Sequence, residues 1–283
     1  MARDTRGMTG VAPENPVALT AWWTLMARYE DAVSDTPVAG DTFAHRFVND
    51  EARAVAERFR SLTVTNVSLP VRHRLIDDRL SAELARDPGL RVVVLGCGFD
   101  SRAYRLRGGH WVEVDEPGLL AYKESRLPSA DAANELVRVP IRFGEESIEE
   151  KLTPYATEER VAVVLEGIFG YLSDGERREL LTSLTRLFPR HVVYCDLLTR
   201  RFVARYSRKL VARLRELGAE FGSSTDRPEA LFHELGYRTV ARASVILGAA
   251  ELGAERAPPA WLVRLLPSMR DGYCVWAFEY SSE

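Results

Sequence analysis

The sequence lacks most of the features that identify a protein class on sight. Only three cysteines occur, Cys97, Cys195 and Cys274, far apart and each inside or beside an apolar run. An odd, sparse count without metal-ligand spacing excludes a disulfide framework or a zinc module and fits a reducing compartment. There is no strong excess of either charge. A formal net charge of −3 gives no global attraction to nucleic acid or to an anionic membrane. Long apolar runs are also missing: VAVVLEGIFGYL is too short to span a bilayer and contains Glu166. The opening segment, MARDTRGMTGVAPENP, has no apolar core of the kind a signal peptide needs. Its Gly, Pro and charge content predicts disorder over about the first sixteen residues. No repeat or low-complexity block appears, and a cytoplasmic protein is expected. What remains is 283 residues, 46% hydrophobic and 28% charged, ordinary for a globular chain with a sizeable core.

The first third has helical periodicity. Leu19, Trp22, Trp23, Met26 and Val33 form one stripe, Phe43, Phe47, Val48, Val55 and Phe59 a second, and Val71, Leu75, Leu80 and Leu84 a third. Pro70 suits the first turn of that third helix, and Pro88-Gly89 ends it. The texture then changes. RVVVLG, WVEVD, ELVRVP, VAVVLEG and HVVYCDLL are short β-branched runs of the kind that form buried parallel strands. Between them lie helical segments, the clearest being SDGERRELLTSLTRLF. There Ser173 and Glu176 make a capping box, an apolar stripe follows, and Pro189 stops the helix. A basic amphipathic helix is expected over about Arg200–Leu217, then a helix near Arg227–Leu235 and strands in YRTVARASVIL and GYCVWAFEY. The expected fold is α/β: a Rossmann-like, doubly wound, mostly parallel seven-stranded sheet with an antiparallel C-terminal hairpin and a helical N-terminal cap.

The chemistry concentrates between Arg91 and Asp115. In RVVVLGCGFDSRAYRL a buried strand runs into Gly96-Cys97-Gly98, where missing side chains let a ligand approach the backbone. A dinucleotide site wants a third glycine so that pyrophosphate can sit on the helix N-terminus. Here Asp100-Ser101 stands instead, and a carboxylate repels pyrophosphate but tolerates a cation. Asp100 serves as a helix N-cap or as a ligand contact. S-adenosylmethionine, with a sulfonium, an ammonium and no phosphate, meets this description. Asp115 ends the second strand 17 residues beyond Gly98, where an acidic residue accepts hydrogen bonds from ribose hydroxyls; a solvated carboxylate or a cap is the plain alternative.

LGCGFDSRAYRL followed by VEVDEPGLLAYKESRL resembles the leucine carboxyl methyltransferase family, including its tetracenomycin-type polyketide O-methyltransferase branch. TAWWTLMARYEDAVSDTPVAGDTFAHRFV resembles the family's cap, VRHRLIDDRL its Arg-containing helix, and VVLEGIFGYLS its fourth strand. The likeness covers about residues 18 to 200. It implies that the Gly96-Cys97-Gly98 turn approaches the cofactor and that Asp115 binds its ribose. It further implies that Arg72 pairs with the methionine carboxylate, that Glu166 sits beside the methionine end, and that Arg28 is a basic cap position. The residues agree in part. Arg72 lies on the inner side of its helix and needs an anion, either a ligand carboxylate or a protein one such as Glu30 or Asp77. Glu166 interrupts an apolar strand at its C-terminal end and wants a cation, from a ligand or a salt bridge. One departure stands out. The family has an adenine-contacting Asp where this chain, in RVPIRFGEES, has Arg142; Phe143 can stack on the ring and Glu145 can substitute by a small shift.

The domain organisation expected is one S-adenosylmethionine-dependent methyltransferase domain. Residues 1–89 form a helical cap, 90–198 the cofactor-binding core, 199–226 a lid-like insertion, and 227–283 a C-terminal helix and edge hairpin. The acceptor is expected to be a small molecule, with S-adenosylhomocysteine as second product and no nucleic acid, membrane or metal involved. No histidine holds a motif position, and His45, His73, His110, His191 and His233 are read as structural. That favours an oxygen nucleophile acidic enough to need no base. Arg102 and Tyr171 are candidates for orienting it, or else a surface pair and a core aromatic. The arginines between Thr199 and Arg215 are read as a solvated face rather than an acidic-substrate site. Two other readings have distinct signatures. A short-chain reductase needs a Tyr-x-x-x-Lys pair after the fourth strand, which is absent, and a non-methylating binding protein draws its support from Arg142.

Overall fold

The computed structural model describes residues 16–223 and 225–282; the disorder predicted for the N-terminus lies outside them. The cap begins with α1 (Pro16–Ala32), which buries Trp22, Trp23, Leu25 and Met26. Val33, expected to extend that stripe, lies past the helix end and is 65% exposed. The second stripe is not one helix. Ala44–Phe47 is a single 3-10 turn, and Asn49 then accepts a hydrogen bond from Ala52 N at 2.7 Å, starting α2 (Asp50–Phe59) afresh. The third helix, α3 (Thr63–Arg86), starts seven residues before Pro70, which therefore sits in its interior and not in its first turn. Pro70 gives up one intrahelical hydrogen bond; tight packing of Leu69, Pro70 and Val71 holds the helix through the gap.

The core alternates as read: β1 (Arg91–Leu95), α4 (Arg102–Arg105), β2 (His110–Asp115), α5 (Pro117–Arg126), β3 (Glu135–Pro140), α6 (Ile148–Leu152), β4 (Val161–Leu165), α7 (Asp174–Leu187) and β5 (Arg190–Leu198). The Ser173–Glu176 capping box opens α7. The basic segment forms two helices, α8 (Arg200–Tyr206) and α9 (Arg208–Glu216), broken at Ser207, rather than one. Then come α10 (Ala230–Glu234), β6 (Arg238–Ser244), α11 (Val245–Glu251), α12 (Ala260–Leu265), α13 (Pro267–Arg270) and β7 (Tyr273–Ser281). Three short helices thus separate the last two strands, so their antiparallel pairing is no tight hairpin. The Val245-Ile246-Leu247 end of the expected sixth strand belongs to α11.

The seven strands are ordered β3-β2-β1-β4-β5-β7-β6, parallel through the first five and antiparallel at β7. β1 and β4 are central and buried on both faces, which is why, after Arg91, their sequences are continuous Val, Ala and Leu rather than alternating. One face, with Val92, Val94, Ala162 and Val164, packs under the cap and α11. The other, with Val93, Leu95, Val163 and Leu165, packs on α7 and α10. The parallel strands direct their carboxyl ends to one edge, and the order reverses between β1 and β4, the position where open α/β sheets bind ligands. Phe99, just past the glycine turn, packs at 4.4 Å from the Trp22 ring and 5.0 Å from that of Phe47, fastening the cap over this edge. We expect Phe99→Ala to cost about 3–5 kcal/mol, read as a lower urea midpoint at unchanged slope. A loss below about 1 kcal/mol would show that this ring does not anchor the cap.

Candidate active site

The turn after β1 is built by glycine. Gly96 has φ +64° and Gly98 φ +50°, conformations that other residues adopt at a cost. A Cβ on Gly96 would lie 2.7 Å from the Ile168 side chain. Gly96 N and Cys97 N both donate to Val114 O, and Gly98 N donates to Asp115 Oδ2 at 2.6 Å. Asp115 Oδ1 accepts from Glu116 N at 2.7 Å. Burial raises the Asp115 pKa to about 6, against the lowering effect of those two backbone donors. Asp100 accepts from Arg102 N at 2.7 Å and pairs with the Arg102 guanidinium. It is a structural anchor, and α4 is only four residues long.

Above this turn lies a cavity of about 740 Å³ at the carboxyl ends of β1, β2 and β4. Its wall includes Arg28, Arg72, Gly96, Cys97, Gly98, Asp115, Phe143, Glu166 and Tyr171, so residues far apart in sequence meet around one space. Arg28, on α1, donates to Asp41 Oδ2 at 3.1 Å and Phe99 O at 2.8 Å. Arg72, on α3, donates to Glu166 Oε1 at 3.1 Å, Asp196 Oδ2 at 3.0 Å and the Tyr273 hydroxyl at 3.3 Å. Its protein partners are therefore Glu166 and Asp196, not Glu30 or Asp77. Among the described residues no acceptor takes a hydrogen bond from its Nη2. Burial alone would lower the Arg72 pKa, but Asp196, Tyr273 and Glu166 hold it well above the usual range. Burial would raise that of Glu166, but Arg102, His73 and Arg72 hold it well below.

Arg102 is the candidate that the structure sets apart. It is 0% exposed and does not line the cavity. Its guanidinium lies behind the wall, donating to Asp77, Asp100, Glu166 and the His73 carbonyl. Instead of orienting an acceptor it ties α3 to the glycine turn and to the end of β4. His73, Asp100 and Glu166 bring ligand atoms within 4.8 Å of one another, but Arg102 already supplies the positive charge there. Tyr171 does line the cavity; burial pushes its phenol up to about 12, so it stays neutral. Arg142 is absent from the wall, whereas Glu145 and Glu146 are on it. Arg142 instead donates through its backbone N to Glu146 Oε2 at 2.7 Å. Phe143 is half-exposed at the cavity rim.

Asp196, Tyr273 and Glu116 are among the wall residues that escaped the sequence reading. Asp196 is hidden in the apolar run of β5, where one carboxylate at a strand end was the available signal. Tyr273 starts β7 and donates to Asp196 Oδ2 at 3.2 Å. Glu116 follows Asp115 directly and accepts from Phe143 N at 3.2 Å. Apart from Arg28 and Arg72, the wall that α1, α3, α8, α9 and the 221 loop supply is apolar, aromatic or hydroxyl-bearing: Trp23, Leu69, Phe202, Tyr206, Leu210 and Phe221 are typical. The α8–α9 arginines do not face it.

This sheet order, with its antiparallel seventh strand and a cavity at the glycine turn, is a methyltransferase architecture. A structure from Thermobifida fusca provisionally named a methyltransferase aligns over 96% of this chain and 100% of its own, with TM-score 0.59 and 17% identity. A DUF574 family protein from Streptomyces avermitilis aligns over 90% and 97%, with TM-score 0.57 and 13% identity. Both establish the fold alone. The sequence goes further: residues 20–185 match the leucine carboxyl methyltransferase family model, and the chain belongs to that family. A Parafrankia sp. protein, provisionally named an S-adenosyl-L-methionine-dependent methyltransferase, is 40% identical over 43% of this chain, and the match spans 41% of that relative's length. The tetracenomycin polyketide synthesis O-methyltransferase of Streptomyces glaucescens is 29% identical over 74% of this chain and 75% of its own.

Asp115 provides a test of this geometry. A carboxyl raised from 3.8 to about 6 on folding binds its proton more tightly in the native state. Its contribution is therefore most favourable below pH 4 and is lost as pH rises through 6, by about 3 kcal/mol for two units. Urea unfolding at pH 4 and pH 7 should show wild type losing this stability relative to Asp115→Asn. A pH-independent difference would mean the carboxylate is solvated.

Proposed function

We propose that the protein is an S-adenosylmethionine-dependent O-methyltransferase acting on a carboxylate or hydroxyl oxygen of a small, largely apolar metabolite. The observation that carries this reading is the charge of the cavity. Nine Asp and Glu side chains line it against two arginines, and among the described residues no lysine or histidine joins them. Such a wall repels a pyrophosphate and favours a ligand with net positive charge. In this reading the glycine turn lets the adenosyl group approach the backbone, Asp115 accepts from its ribose hydroxyls and Phe143 stacks on its base; their common position on the cavity wall supports it. Glu145 and Glu146 stand where the family's adenine-contacting Asp is missing. Arg72 Nη2 is available to a ligand carboxylate, with Arg28 nearby and Glu166 and Asp196 for the ammonium.

The cofactor supplies a methyl on sulfonium, already a strong electrophile. The chain's task is to hold an oxygen in line with the S–CH3 bond and exclude water, and positioning of this kind contributes about 7–11 kcal/mol in favourable cases. Among the described residues no histidine lines the cavity, and burial keeps the Tyr171 phenol neutral, which supports an acceptor oxygen that ionises without a protein base. The apolar wall formed with α8 and α9 suits the acceptor body. Residues 199–226 then act as a lid within a single methyltransferase domain, and the α8–α9 arginines are its solvated face. Among the described residues no helix is long and apolar enough to cross a membrane, which supports a cytoplasmic location. The resemblance to the tetracenomycin enzyme supports a polyketide-type acceptor.

Calorimetry with S-adenosylmethionine, S-adenosylhomocysteine and NADPH tests the reading. Both adenosyl ligands should bind and NADPH should not; binding of NADPH alone would overturn it. Asp115→Asn should weaken S-adenosylhomocysteine at pH 7.5 by about tenfold or more, the scale of losing hydrogen bonds to a charged group. Wild-type affinity should fall as pH drops below about 6, where Asp115 takes up its proton. Mass analysis of metabolites with and without the protein should reveal an acceptor gaining one CH2.

A further inference from the structure

His73 is fully buried on α3, beside Arg72 but turned away from the cavity. It is surrounded by charge: a carboxylate oxygen of Asp100 in the glycine turn lies within 4.8 Å of the ring, and α3, α4 and the end of β4 supply the rest. From α3 itself comes Asp77, whose Oδ1 lies 3.9 Å from Nε2. From α4 come Arg105, whose Nη2 lies 2.7 Å from Nε2, and Arg102, whose Nη2 lies 2.8 Å from Nδ1. From the end of β4 comes Glu166, whose Oε2 lies 3.1 Å from Nδ1. Both ring nitrogens face a guanidinium, which only donates, but Nδ1 alone also has a carboxylate oxygen within hydrogen-bond distance, so a proton on Nδ1 with a bare Nε2 satisfies the most partners. That arrangement directs the Nδ1 proton to Glu166 Oε2. Arg102 Nη2 has acceptors of its own, Glu166 Oε2 at 2.7 Å and the His73 carbonyl at 3.2 Å. The His73 ring and the Arg102 guanidinium therefore lie side by side as two donors to one carboxylate oxygen.

We infer that His73 is a positioning residue for cofactor binding: its Nδ1–H holds Glu166 from behind by Oε2 and leaves Oε1 on the cavity side. Oε1 is the oxygen that accepts from Arg72 Nε. The inference rests on the proposed role of Glu166 at the methionine end of the cofactor. Glu166 follows the last residue of β4 and precedes Gly167, whose φ is +76°. Backbone alone does not fix the carboxylate's rotation. With the two donors behind, Oε2 is occupied and rotation would break both bonds. His73 does not line the cavity, and its effect passes through Glu166.

The two ring nitrogens can be separated by substitution. In His73→Asn the amide nitrogen falls near Nδ1 and keeps a donor to Glu166. In His73→Gln the longer amide reaches toward Arg105 and leaves the Nδ1 position empty. Both variants lose ring packing, so melting temperatures measure the shared structural cost. S-adenosylhomocysteine affinity by calorimetry reads the positioning. We expect the Asn variant to stay within about threefold of wild type and the Gln variant to weaken tenfold or more at similar melting temperature. Equal affinities, or affinities that follow melting temperature, would overturn the role. Ring-15N NMR of the wild-type protein tests the tautomer without relying on variant folding: a protonated Nδ1 with a bare Nε2 is expected, and the reverse would overturn it. Failure of wild type to bind S-adenosylhomocysteine would instead sink the cofactor reading, a separable result.

Discussion

One constraint shapes the ligand-binding edge of this protein: a guanidinium taken fully out of water must be surrounded by acceptors. Arg102 meets that demand with Asp77 from α3, Asp100 from the glycine turn and Glu166 from the end of β4. Arg105 adds a second bridge from α4 to Asp77 and lies 3.5 Å from Asp41. Asp41 in turn holds Arg28. Removing one partner from such a set strands a buried charge, at a cost of about 3–5 kcal/mol. The network therefore joins cap, turn and sheet into one electrostatic unit. Arg102 and Arg105 lie off the cavity wall, and Arg28 and Arg72 face nine carboxylate side chains across it.

Packing complements that network. Phe99 leaves the glycine turn and enters an aromatic group with Trp22, Phe47 and Tyr122, so the segment that forms the cavity floor also anchors the cap. Behind the floor, Lys123 is fully buried and bonded to Glu113 at 2.8 Å. Its Nζ lies 3.8 Å from the Cys97 sulfur. Burial drives the Cys97 thiol well up, so this cysteine is a compact, unreactive wall residue. Several charged groups at the cavity hold one another: Arg28 with Asp41, Arg72 with Glu166 and Asp196, and Asp100 with Arg102.

Much of this was legible in order along the chain. The five parallel strands, the Ser173 capping box and the antiparallel last pair follow from periodicity and turn chemistry. Those signals are local, and the tertiary fold does not override them. The helical cap was harder. Pro70 reads as a helix start because proline usually is one, but burial of its neighbours lets α3 run through it. Ser207 interrupts a stripe whose periodicity alone predicts one helix. The site residues with a local cause, Gly96, Gly98 and Asp115 at strand ends, were legible from spacing. Arg102 was not, because nothing in SRAYRL says whether an arginine faces solvent, ligand or a ring of carboxylates.

By itself, then, the sequence determined the alternation of strands and helices, the glycine turn with its acidic neighbours, and the family. Each depends on residues within a few positions of one another or on a pattern along one segment. Only the tertiary structure decided the partner of each charge: that Arg72 faces Glu166 and Asp196, that Arg102 is sealed behind the wall, that Arg142 is off the wall, and that His73 backs Glu166. The physical reason is that a charge's role is set by burial and by acceptors supplied from distant segments. α3, α4 and the ends of β4 and β5 meet only when the sheet assembles.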